Sequence, residues 1–320
     1  MTRTSVGSLQ AENAPRPGLV EVLAVWALFG LVGVAMLVTY ARLPLDELYN
    51  VSKTGLEGGA GRLLVFAGYP TALVSIAVLA AVVDRLRARW VSVLAVIAAL
   101  LCATVAWPGV IEQSDLDAKP ANVPAAAGTL IALGLTFYAL SRDGIGYRRP
   151  FAGGWDVARL VLAIVVALEA IPWLAATLGF YLDDVPGLGA LFLSGEPRPE
   201  PGHPTLRAVH LGHHHGFDGT LLALSAIALS RTVCMLRSGF LRTGYRFYVS
   251  LMLVYGLANA LQDFWLEQLV KRGTTSLEIP TLTVPKASAA WAALLVAALL
   301  IHFAAGRVIQ TEALSQEGVP

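Results

Sequence analysis

Eight long apolar segments decide what this chain can fold into. An α-helix needs about 20 residues to cross the hydrocarbon core of a bilayer, and each segment reaches or approaches that length. The chain has 320 residues, of which 56% are hydrophobic and 14% are charged, whereas soluble domains carry about 25% charged residues. Backbone polar groups in hydrocarbon have to be satisfied within the chain, which favours helices. The sequence therefore predicts an all-α integral membrane protein with a bundle of about eight transmembrane helices.

The apolar segments divide the chain into a tail of residues 1–17, one transmembrane domain of residues 18–307 and a polar tail of residues 308–320. The predicted spans are about 18–40, 62–83, 90–107, 124–140, 156–180, 206–230, 247–269 and 286–305. The first tail is polar and is predicted to be disordered. The loop before the second span ends in Gly-Gly-Ala-Gly at residues 58–61, which is predicted to be flexible.

Arginines between the spans predict the orientation of the bundle. The loops after the second, fourth and sixth spans carry three, three and four arginines, and the alternate loops hold most of the acidic residues. The positive-inside rule then places both termini in the cytoplasm. The short loops and the composition rich in Ala and Arg indicate the plasma membrane of a bacterium. A formal net charge of +1 gives no indication of a nucleic-acid partner, and the expected partners are membrane lipids and a lipid or small-molecule substrate.

Five of the six histidines lie between residues 203 and 215, which is unusual in a chain that is mostly apolar. In a helix, His210, His214 and Asp218 recur every four residues and share one face, with His213 beside it. Imidazole and carboxylate are ligands of zinc and of other first-row divalent ions. We therefore predict a divalent metal held by His210, His213, His214 and Asp218, with zinc as the first choice and iron or manganese as alternatives.

The seventh predicted span carries a polar face of its own, formed by Asn259, Asp263 and Glu267 at the same four-residue spacing. Because this span runs opposite to the sixth, these residues are predicted to lie level with Asp218, His214 and His210 in that order. Small residues four apart, Gly212 and Gly216, are predicted to let a neighbouring helix approach the histidine face.

A third polar group, Glu169, lies in the fifth predicted span at nearly the same depth, three residues before Pro172. Ionisable side chains inside spans usually face the bundle interior, a partner or a water-filled cavity. We therefore predict Asp263 as a general base or a fourth metal ligand, with Glu169 and Glu267 as supporting acidic residues at the same site.

Several functions are compatible with this pattern. The first is a metal-dependent hydrolase or lipid-modifying enzyme that opens outward, in which the metal lowers the pKa of bound water to about 7 and a carboxylate takes the proton. The second is a proton- or cation-coupled transporter, although the inner halves of the spans are nearly free of charge. The third is a haem- or quinone-binding redox protein or a non-catalytic membrane subunit. The histidines could also form a solvated helix end, and Asp263 and Glu267 could form structural ion pairs with Arg207 or Lys271.

Overall fold

Every regular element that the computed structural model describes is a helix, as the sequence predicts. The structure describes residues 18–45, 48, 51–107, 110–111, 115–147, 151, 153–171, 173–174, 186 and 214–317, with backbone only for 214–215 and 308–317. The helices are α1 (Val20–Arg42), α2 (Gly55–Gly68), α3 (Pro70–Leu86), α4 (Arg89–Ala103), α5 (Asn122–Asp143), α6 (Gly154–Glu169), α7 (His214–Ser230), α8 (Gly239–Trp265) and α9 (Ala289–Glu317). A 3-10 turn at Thr104–Ala106 extends α4, and a π-helical turn at Leu266–Val270 extends α8.

Five helical stretches in the described part of the chain are long and apolar enough to cross a membrane. They are Val20–Arg42, Arg89–Ala106, Asn122–Asp143, Gly239–Val270 and Ala289–Arg307. The pair α2 and α3 passes the same test as one span that is bent by 43°. The apolar part of α7, Gly216–Ser230, is shorter than these spans. An integral membrane protein is therefore supported, while the eight spans and their orientation stay predictions.

The bend between α2 and α3 lies at Tyr69 and Pro70. Proline has no N–H, and its ring collides with the carbonyl group of the residue four positions earlier, which here is Phe66. The Thr71 hydroxyl donates a hydrogen bond to that Phe66 carbonyl at 3.0 Å, so the carbonyl group keeps a partner at the bend. The backbone therefore changes direction in the middle of an apolar segment without leaving this carbonyl unsatisfied.

The prediction that residues 58–61 are flexible is wrong. They lie inside α2, which begins at Gly55 and so starts earlier than the predicted span. A Cβ atom on Gly58 would collide with the Lys53 carbonyl group, and one on Gly59 would collide with the Leu37 carbonyl group of α1. These glycines are needed for close helix packing, because small residues let two helix backbones approach each other in a membrane.

Ion pairs join the helix ends on the side of the bundle where α1 begins, which we call the near end. Arg231, after α7, lies 3.2 Å from Glu21 of α1 and 3.4 Å from Asp156 of α6. Arg159 lies 2.9 Å from the same Asp156 carboxylate. Asp156 is completely buried, so the arginines supply the charge that its burial requires.

Two adjacent residues at the end of α3 bind neighbouring helix ends at the near end. Arg85 donates hydrogen bonds to the carbonyl groups of residues 143, 144 and 145 at 3.1, 2.6 and 3.2 Å. Asp84 accepts hydrogen bonds from the N–H groups of Arg237 and Ser238 at 2.8 and 3.0 Å. A cation thus caps the C-terminus of α5 and a carboxylate lies at the N-terminus of α8, as the helix dipoles favour.

The antiparallel pair α7 and α8 makes the most extensive contact between helices in the described chain. Their backbones touch at Gly219 and Gly256. A Cβ atom on Gly219 would lie 2.6 Å from the Gly256 carbonyl oxygen, and one on Gly256 would lie 2.8 Å from the Ala223 nitrogen. No larger residue fits at either position. The contact therefore fixes which residues of α7 and α8 lie at the same depth in the bundle.

Adding one methyl group at this contact is expected to destabilise the protein. Gly219→Ala and Gly256→Ala each place a carbon atom where the facing backbone already lies, at a cost of about 1–3 kcal/mol. The measurement is the midpoint of thermal unfolding of the protein in detergent. Gly134→Ala on α5 is the control, because nothing lies within 4 Å of its added Cβ atom. An equal loss in all three variants would contradict close packing of α7 against α8.

Candidate functional site

The structure describes part of the predicted site. His210 and His213 lie outside the described residues, and His214 is described only by its backbone, as the first residue of α7. The side chains described are those of Asp218, Glu169, Asp263 and Glu267. No three His, Cys, Asp or Glu side chains in the described part come together as a metal site. A metal at this position would therefore need histidines from the segment 210–214.

The two helices meet close to the predicted register. A Cβ atom on Gly216 would lie 2.6 Å from Cβ of Asp263, and one on Gly219 would lie 3.0 Å from Cβ of Asn259. Asp263 is therefore level with the first turn of α7, and Asn259 is level with the residue after Asp218. The predicted pairs differ from these contacts by less than one helical turn. The carboxylate of α8 thus lies beside the backbone of the turn that begins with His214.

Asp263 is completely buried at the N-terminus of α7. Its carboxylate lies against the first turn of α7, since a Cβ atom on Gly216 would lie 2.6 Å from Cβ of Asp263. A carboxylate is favoured there, because the first N–H groups of a helix have no partner within it and carry partial positive charge. Trp173, which follows α6, also lies near this carboxylate, so the polar part of α8 faces both α7 and the chain beyond α6. Glu169 ends α6, and its Oε1 is buried without a hydrogen-bond partner.

Glu267 forms an ion pair with Lys271, with 3.1 Å between Oε1 and Nζ. The Glu267 side chain is 1% exposed and Lys271 follows it by one turn. Asp263 interacts electrostatically with both residues, so one ammonium group helps to balance two carboxylates that lie one helical turn apart. A structural ion pair with Lys271 was one of the alternatives that the sequence left open for Glu267, and the structure contains it.

Arg62 is a site residue that the sequence analysis missed, because it was taken only as the start of a span. It lies within α2, is 2% exposed, and has its Cζ atom 5.7 Å above the ring of Tyr40. Its Nε and Nη2 atoms are buried and have no hydrogen-bond partner. Asp218 on α7 is 4% exposed, interacts electrostatically with Arg62, and has a buried Oδ1 atom without a partner.

Two tyrosines, also missed, connect this region to α8. The hydroxyl groups of Tyr69, at the bend, and Tyr255 lie 2.8 Å apart. The Tyr255 hydroxyl donates to the Thr283 carbonyl group at 2.7 Å, so its single proton is used and the Tyr69 hydroxyl has to be the donor between the two rings. Asn259 donates to the Tyr255 carbonyl group at 2.8 Å. Asp218 interacts electrostatically with both hydroxyl groups.

These residues form one buried polar region at the end of the bundle opposite the near end, which we call the far-end site. It comprises Tyr40, Arg62, Tyr69, Asp218, Tyr255, Asn259, Asp263 and Glu267, from helices α1, α2, α7 and α8, the α2–α3 bend and the π-helical turn. An apolar cavity of about 180 Å³ adjoins it at Tyr255 and Thr283. The region thus offers a guanidinium group, carboxylates and hydroxyl groups next to a space suited to hydrocarbon.

Comparison with protein-family models, curated proteins and solved structures found no match to this chain. The chemistry of the far-end site therefore has to be inferred from its own residues.

Removing the ammonium group beside the buried carboxylates is expected to destabilise the protein strongly. Lys271→Met leaves Glu267 buried without its 3.1 Å partner, and breaking a buried pair in this way costs about 3–5 kcal/mol. The measurement is the midpoint of thermal unfolding in detergent. Lys271→Met combined with Glu267→Leu is expected to recover part of the loss, because Glu267 is no longer a buried charge while Asp263 still lacks the ammonium group.

A second ion pair with the same spacing provides the control for this substitution. Lys53 and Glu57 lie 3.6 Å apart, with side chains 57% and 75% exposed. Lys53→Met is expected to change stability by less than about 1 kcal/mol, as exposed pairs do. Equal effects of the two lysine substitutions would contradict the buried ion pair at Glu267.

Proposed function

We propose that this chain is a membrane-embedded, metal-dependent hydrolase or related lipid-modifying enzyme, in the plasma membrane of a bacterium, with its catalytic centre in the far-end site. The observation that carries this proposal is the register of α7 and α8. The contact between Gly216 and Asp263 puts a completely buried carboxylate beside the turn that begins with His214. Histidine and carboxylate at one level are the groups that metal-assisted hydrolysis requires.

The proposed roles follow from the chemistry of each group. A divalent ion, with zinc preferred over iron or manganese, would supply a hydroxide ion at neutral pH when bound. His210, His213 and His214 are the proposed ligands, with Asp218 as a fourth candidate. Asp263 is the proposed general base, because its carboxylate is buried beside the turn that begins with His214. Glu267 and Glu169 are the proposed supporting acids.

The near end of the bundle supports a site that opens to one side only. Arg231, Asp156 and Glu21 join α7, α6 and α1 there through ion pairs at 3.2 and 3.4 Å. Such pairs hold the helix ends together, and every carboxylate among them has a cation within reach. A substrate would therefore reach the far-end site from the opposite side of the membrane or from the lipid around it.

Metal content tests this proposal directly. Protein purified in detergent is expected to contain about one divalent ion per chain by plasma mass spectrometry. Three protein ligands and one water molecule complete the coordination of one catalytic zinc ion. The double variant His210→Ala/His214→Ala is expected to lose that ion, because it lacks two proposed ligands.

His302→Gln is the matched control for the loss of a histidine. His302 on α9 contacts the Arg246 guanidinium group at 3.3 Å, far from the proposed ligands in sequence. This variant is expected to keep the full metal content. Absence of a stoichiometric ion from the wild-type protein would rule out the metal-dependent enzyme.

The bent span favours a transporter as the second candidate function. Substrate sites of many transporters lie beside interrupted transmembrane helices, and the 43° bend at Tyr69 lies in the far-end site. In this case proton uptake into proteoliposomes, followed with a trapped pH dye, is expected to exceed that of empty liposomes and to fall in Asp263→Asn. Uptake equal to that of empty liposomes would exclude proton coupling.

A further inference from the structure

Arg62 and Asp218 carry opposite charges in the interior of the far-end site, yet they do not neutralise each other by direct contact. Each is more than nine-tenths buried, and the two interact electrostatically. Nε and Nη2 of Arg62 and Oδ1 of Asp218 nevertheless have no hydrogen-bond partner. Two buried charged groups with unused polar atoms are costly to the fold, which points to a ligand between them.

The packing around Arg62 holds its guanidinium group in place. One turn earlier on α2, Gly58 and Gly59 press the helix against α1 and the preceding loop. The guanidinium group lies over the Tyr40 ring of α1, a favourable cation–π position. The Arg62 side chain is thus fixed by two helices while the Nε–Nη2 edge is left available.

The unused atoms define the chemistry of the ligand. The Nε and Nη2 edge of arginine presents two parallel N–H donors that match the oxygens of a phosphate or carboxylate. An ionised carboxylate only accepts hydrogen bonds, so the ligand group beside Asp218 has to be a donor. An ammonium group supplies both N–H donors and a positive charge. Because Arg62 and Asp218 together have no net charge, a ligand that carries both signs keeps the buried site neutral.

The neighbouring cavity favours an amphiphilic ligand. Tyr255 interacts electrostatically with Asp218 and also lines the apolar cavity of about 180 Å³, together with Leu73 and Met252. A headgroup between Arg62 and Asp218 would therefore have hydrocarbon-compatible space close by. This arrangement matches a lipid better than a wholly polar solute.

We propose that Arg62 and Asp218 bind a phosphate ester that carries a primary ammonium group, of the phosphoethanolamine kind. The phosphate oxygens accept from Nε and Nη2 of Arg62, and the ammonium group donates to Asp218. This inference rests on the proposed function, for which it names the headgroup of the substrate. It assigns Asp218 to the substrate and leaves His210, His213 and His214 as the three metal ligands.

The test measures binding to the full-length chain in detergent with EDTA present, so that failure of the metal proposal does not decide it. Native mass spectrometry is used to titrate short-chain phosphatidylethanolamine, phosphatidylglycerol and phosphatidylcholine. Phosphatidylethanolamine is expected to bind most tightly, because the glycerol headgroup has no cation and the trimethylated amine has no N–H donor. Soluble O-phosphoethanolamine is the competitor: displacement of the lipid shows that the headgroup alone suffices, and no displacement shows that the site takes the lipid form.

Variants assign the two ends of the ligand. Arg62→Gln is expected to weaken phosphatidylethanolamine binding by about tenfold or more, since it removes charge-assisted hydrogen bonds. Arg62→Lys keeps the charge but loses the paired donors, and is expected to show an intermediate loss. Asp218→Asn is expected to abolish the preference for phosphatidylethanolamine over phosphatidylglycerol while binding of phosphatidylglycerol persists.

The control variant is Arg246→Gln, which removes a partly buried arginine that contacts His302 at the near end of α8. It is expected to leave lipid binding unchanged. Equal binding of the three lipids by the wild-type protein would overturn the proposal. So would unchanged binding in folded Arg62→Lys and Asp218→Asn, which keeps the test decisive if Arg62→Gln does not fold.

Discussion

The contact between the backbones of α7 and α8 sets the depth of the polar groups that the two helices carry. Gly219 and Gly256 allow the contact, and the four-residue spacing of Asn259, Asp263 and Glu267 then repeats along α8 from that point. Helix packing in a membrane depends on close approach of backbones, because hydrocarbon lipid tails offer apolar side chains as good an environment as a neighbouring helix does. The far-end site therefore depends on two residues that have no side chains of their own.

Buried charged groups are paired differently at the two ends of the bundle. At the near end Glu21, Asp156, Arg159 and Arg231 form ion pairs between 2.9 and 3.4 Å, although Oε2 of Glu21 has no hydrogen-bond partner. At the far end Arg62 and Asp218 keep polar atoms without partners. Ionisable groups inside a membrane are costly wherever they occur, so two buried opposite charges with no direct ion pair between them indicate that the far end is used for binding.

The sequence predicted the helical class and the level of the α8 carboxylates, because both depend on local spacing. Apolar length identifies spans, and the four-residue repeat identifies a helix face. The sequence did not predict the role of Arg62, since an arginine beside Gly-Gly-Ala-Gly has the composition of a flexible loop. Nor did it predict the pair formed by Tyr69 and Tyr255, which are 186 residues apart in the chain. Such contacts depend on which helices are neighbours, and apolar segments carry little information about their neighbours.

Asp218 of α7 and Asp263 of α8 both lie near the start of α7, but they face different helices. This difference separates their roles. Gly216, Gly219 and Ala223 of α7 face α8, as their contacts with Asp263 and Gly256 establish, whereas Asp218 interacts with Arg62 of α2. Asp263 lies against the first turn of α7 and interacts with the Lys271 ammonium group that also pairs with Glu267. Asp218 keeps an unsatisfied oxygen beside an unsatisfied guanidinium group. The carboxylate beside the histidine-bearing end of α7 suits proton transfer, and the carboxylate that faces a guanidinium group without an ion pair suits recognition of a ligand that carries both charges.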